Sequence, residues 1–133
     1  MTKEELMMSN TPEGRAYRKH LLDTEAMSRT YDDTRATAAE LAQASRQLID
    51  IQNRGSDIDW MQIEGYADHA RAVCDLQARM VVIDNERNAL RGTYTDDAMG
   101  KLREARRDFN ALAERVTQHF RVMAALISDE LPD

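Results

Sequence analysis

Between residues 102 and 126 the chain places Leu102, Ala105, Phe109, Leu112, Val116, His119, Met123 and Leu126 at alternating intervals of three and four. That interval follows the α-helical turn and not the two-residue repeat of a strand, so the segment presents one sustained face to a neighbouring helix. Phe120, Ala124, Ile127 and Leu131 widen the face over its last turns. The preceding stretch carries a similar seam at Tyr66, His69, Val73, Leu76, Met80, Ile83 and Leu90, flanked by Ile63, Ala67, Ala70, Cys74 and Val81. A helix with two apolar stripes is expected to lie between two others, which makes this second helix the candidate for the centre. A third seam, at Tyr17, Thr24, Met27, Tyr31, Thr34, Ala38, Leu41, Ser45 and Leu48, is small and polar in its middle.

Chain punctuation divides these seams into three helices. Thr11-Pro12-Glu13 reads as a helix start, because Thr can accept from a free amide and proline at the first helical position forfeits no bond. No proline follows until Pro132. Gly55 is expected to close the first helix in a left-handed conformation, with Ser56, Asp57 or Asp59 capping the next; Gly92 and Thr95 are expected to do the same further on. The predicted elements are helix A over 12–53, helix B over 58–91 and helix C over 96–130, after an N-terminal segment 1–10.

The fold expected is all-α, an elongated antiparallel three-helix bundle assembled from coiled-coil-like hairpins, forming one helical domain over 1–133. Helix A, at roughly 63 Å, is longer than its neighbours. It either overhangs the bundle or breaks near 28–33, where Ser28 or Thr30 can cap a second segment. Folding the chain at its two turns sets Leu48, Ile49 and Ile51 level with Trp60, Ile63 and Ala67 and with Phe120, Met123 and Ile127. That end is expected to hold the best-packed core.

Charge narrows the function classes. The 133 residues carry a net charge of -6 with acids and bases interspersed, a surface poorly suited to phosphate neutralisation, so no direct nucleic-acid contact is expected. Arg outnumbers Lys 15 to 3, and Lys101, Arg103, Arg106, Arg107 and Arg115 make the densest basic stretch. Acids lie among them, so they read as i,i+4 pairs along the outer side of helix C. No apolar run reaches the roughly 20 residues of a membrane helix, and residues 1–10 lack the order of a signal peptide. One cysteine, Cys74, forms no disulfide within the chain, and its flanks Val73 and Leu76 suggest a buried thiol. A cytoplasmic location follows.

No catalytic or cofactor-binding residue is indicated, and no cofactor is expected. His20, His69 and His119 fall on or beside the seams; His69 and His119 are equally far from the turn near residue 94 and are positioned to face one another. They are the candidate metal ligands, but Asp68, Asp75 and Glu114 do not point inward at that level to complete a site. Interfacial histidines that set register or pH sensitivity are the preferred reading. No Glu-x-x-His pair, zincin, nucleophile-elbow or phosphate-loop motif occurs.

The functional expectation is a noncatalytic adaptor, assembly or chaperone-like accessory protein, of bacterial or phage type, whose helical faces meet a protein partner, a second copy in a homodimer, or both. The alternative is an acidic inhibitor of a basic, nucleic-acid-binding surface on another protein. Residues 5–8, Glu-Leu-Met-Met, either fold back on the bundle or serve as a small docking element.

Overall fold

A computed structural model describes residues 2–8, 10–93 and 95–132, giving the backbone alone for Lys3, Leu6, Met7, His20 and 23–32. It is helical throughout, with no strand among the described residues. A short helix α1, Lys3–Met8, begins with reciprocal bonds in which the Glu5 amide donates to the Thr2 hydroxyl and the Thr2 amide to the Glu5 carboxylate. That capping box satisfies donors the helix leaves free. α1 folds back against the second helix.

Thr11 accepts from the Gly14 amide at 3.2 Å, Pro12 takes the first helical position, and α2 runs unbroken as Pro12–Arg54, 43 residues. It corresponds to helix A and does not break near 28–33. Neither Gly nor Pro occurs between Gly14 and Gly55, and cap-forming side chains alone do not end a helix that tertiary packing continues.

Gly55 closes α2 in an unexpected way. Its φ is -99°, outside the left-handed region, and its amide donates to the Ile51 carbonyl. Glycine is needed for room, since a Cβ there would stand 3.0 Å from Ile127 Cγ2 and 3.3 Å from Ile58 Cδ1. The chain next makes a 3-10 turn, Trp60–Gln62, and is re-aimed at Gly65, whose φ of 86° is left-handed. Helix B therefore begins at Tyr66 and not at 58: α3 is Tyr66–Ala89. The second turn follows the sequence closely, with Gly92 left-handed at φ 81° and Thr95 accepting from the Ala98 amide at 3.2 Å. α4 is Asp96–Glu130.

α4, not α3, is the central element, because α2 and α3 each pack along it and scarcely approach one another. The expectation of a central helix B is corrected by its outer stripe: Cys74 is exposed and Val81 is 59% exposed. α4 instead buries two adjoining faces. One carries Leu112, Val116 and Met123; the other carries Arg106, Ala113 and Thr117. Arg106 is only 7% exposed, contrary to its assignment to the wet side of helix C. An aliphatic stem allows a guanidinium to be covered in this way. On α2 the inward row is Thr37, Leu41, Ala44, Leu48 and Ile51, displaced by one position in the middle, so Ala38 stays exposed.

The core is continuous from Leu112 and Leu76 through Val73 and Val116 to Leu48, Tyr66, Met123 and Ile127. Complete burial of a side chain such as Ile127 contributes about 1.5–3 kcal/mol. At this closed end the Trp60 indole N–H donates to the Gly55 carbonyl at 3.0 Å, Gln52 donates to the buried Tyr66 hydroxyl at 3.0 Å, and the two aromatic rings lie 6.4 Å apart. The opposite end is looser: Leu21 and Leu22 are exposed, and Lys19 pairs with Asp96 at the surface. These pairings make α2 and α4 parallel, with α3 antiparallel to both.

Candidate functional site

Two places in this framework bring chemistry or open surface together. The first is the α3–α4 seam. The antiparallel run of Tyr66, His69 and Val73 against Val116, His119 and Met123 leaves the two imidazoles opposite one another. His69 Nδ1 and His119 Nδ1 are 2.8 Å apart, with ring centroids at 5.1 Å and planes inclined by 55°. The sequence-derived meeting of these residues is thus present in the fold.

A short contact between two ring nitrogens has room for one proton. One ring donates from Nδ1 and the other accepts there, so the pair is neutral with complementary tautomers or shares a single positive charge. Two imidazolium rings would oppose N–H to N–H. Consistent with this, His119 is held below the ordinary 6.5, first by burial, then by the charge of His69 and that of Arg115. Both histidines are half-buried.

As metal ligands the two histidines remain a pair. Asp68, Asp75 and Glu114 are exposed, and no cluster of three or more His, Cys, Asp or Glu is found among the described residues. The side chain of His20 lies outside them. Two imidazoles hold a transition metal only with further donors.

The second place, which the sequence analysis did not identify, is a groove of about 420 Å³ between α2 and α3 with α4 as its floor. It exists because α2 and α3 diverge from one another on either side of α4. Phe109 and Phe120, the chain's two phenylalanines, stand half-buried in it with Leu41 and Met80. One side of Phe109 is covered by the Arg87 guanidinium, 4.7 Å from the ring centroid. None of the described residues lining the groove is charged, in a chain that is 32% charged. With Thr37 and Ala44 turned inward, the exposed Ala38 and Ala42 form part of a groove wall.

Among the described residues, basic and acidic side chains give no comparable constellation. Arg71 pairs with Asp68, Arg87 with Asp84 and Lys101 with Asp97, all along single helices. No helix among the described residues is long and apolar enough to cross a membrane. No family model matches the chain, and neither a curated protein nor a solved structure matches it.

Proposed function

We propose that this chain is a noncatalytic interaction or assembly protein, an adaptor or chaperone-like accessory subunit that presents long helical faces to another protein, to a second copy of itself, or to both. The observation that carries the reading is its surface. It exposes 9161 Å², whereas a folded monomer of its mass exposes about 7,100 Å². Part of this surface is apolar: Leu22, Ile49, Met61, Val81 and Val82 are each more than half exposed. Helical faces of this kind suit association with a helical partner.

An acidic decoy for a basic nucleic-acid-binding surface draws less support. The acids of α3 are partly neutralised by Arg71 and Arg87 on the same helix. A cytoplasmic setting suits the exposed thiol of Cys74, which a reducing compartment keeps free.

Light scattering on the purified chain, followed by capture of partners from the native host at low and high salt, tests the proposal. A stoichiometric complex that persists at high salt is expected. A chain that stays alone in both measurements would sink it, and association abolished by salt would favour the acidic decoy.

A further inference from the structure

We propose that the His69–His119 contact is a proton-released latch: it holds α3 to α4 while the two rings share one added proton or none, and uptake of a second parts them and lets the first turns of α3 swing away. The latch is independent of the assembly reading.

The geometry sets the threshold. With the Nδ1 atoms 2.8 Å apart and the ring centroids 5.1 Å apart, the two nitrogens lie between the rings and face one another. In the neutral pair one Nδ1 donates and the other accepts. The first added proton goes to Nε2 of the donor ring, so the bond survives and becomes charge-assisted. The second must go onto the accepting Nδ1 itself, which opposes two N–H groups on two cations. Nothing nearby offsets that second charge. The groups acting on His119 are His69 and Arg115, both basic, and together with burial they hold it below 6.5. On α3, Asp68 is engaged by Arg71 at 2.7 Å and Asp75 is exposed; on α4, Glu114 is exposed, as is Glu64 in the turn before α3. No charged side chain of α2 acts on His119 among the described residues. Once parted, the rings take up protons at the ordinary pH of histidine, so acid favours the open form.

The backbone around His69 confines the movement. α2 and α4 each start on a threonine that accepts from a helix amide. α3 starts on Gly65, left-handed at φ 86° and without a side-chain cap, so its start lacks the anchor that the other two have. The His69 amide donates to the Gly65 carbonyl at 3.2 Å, which places the latch one turn from this joint. Farther along the seam, Leu76 and Leu112 are buried in the continuous core and hold the rest of α3 in place. The open form uncovers Tyr66 and Met123, both buried in the closed one.

Two measurements on the full chain, from neutral pH down to about pH 5, test the latch: nitrogen NMR of the two rings and amide hydrogen exchange corrected for its intrinsic rate. At neutral pH a nitrogen–nitrogen coupling is expected across the ring contact, and it should vanish in acid. Over the same range exchange at residues 69–73 should rise by up to about tenfold per pH unit, the limit for an opening linked to one proton. Exchange in the Leu76–Ile83 stretch should stay level. His69→Gln and His119→Gln should each abolish the slope. A missing coupling at neutral pH would overturn the latch on the wild type alone, whatever the variants do. So would an equal slope along all of α3, which marks general loosening in acid, or a slope that persists in both glutamine variants.

Discussion

The two interfaces that flank α4 are built from different materials. Against α3 it presents Leu112, Val116, His119 and Met123 in an unbroken apolar row with one imidazole. Against α2, about 100° round the helix, it presents Ala113, Thr117 and Arg106, met by Thr37 and Ala44. The first seam is held by apolar area along its length, whereas the second alternates small side chains with Leu41, Leu48 and Ile51. Of the two neighbours, α2 supplies the longer wall of the open groove.

The largest effect that would sharpen this contrast is expected at Leu112. Leu112→Ala should cost about 2–5 kcal/mol in urea unfolding, the range for a buried leucine in a core that cannot fully collapse. Thr37→Ala on the other seam should cost less than about 1 kcal/mol. Equal costs would erase the distinction. Next comes Gly55→Ala, where the two seams converge. The new methyl would press on Ile127 Cγ2 at 3.0 Å, and an overpacking loss of about 1 kcal/mol or more is expected in the same measurement.

A third prediction concerns pH. Because the folded pKa of His119 lies below its ordinary 6.5, the unfolded chain takes up the proton first as pH falls. The stability that depends on a neutral His119 is therefore complete above 6.5 and declines as pH drops through that value toward the lower folded one. Thermal unfolding followed between mildly acidic and neutral pH should show this slope, and His119→Gln should flatten it. Hydrogen exchange should speed up at acidic pH in α3 and little in the Leu41–Leu48 stretch of α2; the reverse would place the pH-sensitive seam on the wrong side. The smallest effect is expected for Thr117→Val. The Thr117 hydroxyl donates to the Ala113 carbonyl of its own helix at 2.9 Å, so its removal together with that local bond should shift stability by no more than about 1 kcal/mol.

How much of this the sequence discloses depends on what kind of signal each feature leaves. Helix C was legible to the residue, because Thr95, Gly92 and the 102–126 heptads agree with one another. The facing of His69 and His119 was legible from counting outward from one short turn. The start of α3 was not: Ser56, Asp57 and Asp59 are all competent caps, and the left-handed turn at Gly65 competes invisibly with them. Periodicity marks which side of a helix is apolar but not what covers it, so the second stripe of α3 pointed to a central position that α4 holds. Val81 and Cys74 are the residues that betray the error, being apolar yet exposed. For Arg106 the charge itself misled, since burial there is decided by neighbours that pattern reading does not supply. The groove was missed for the same reason, as it is a property of the separation between α2 and α3 and of no single helix.

The bond from the Trp60 indole to the Gly55 carbonyl has a practical consequence. The chain has one tryptophan, and it is clamped at the corner where α2 ends, beside the tyrosine that hydrogen-bonds to Gln52. Its fluorescence is therefore an intrinsic optical gauge of that corner, able to register the opening of one end of the molecule without any attached dye.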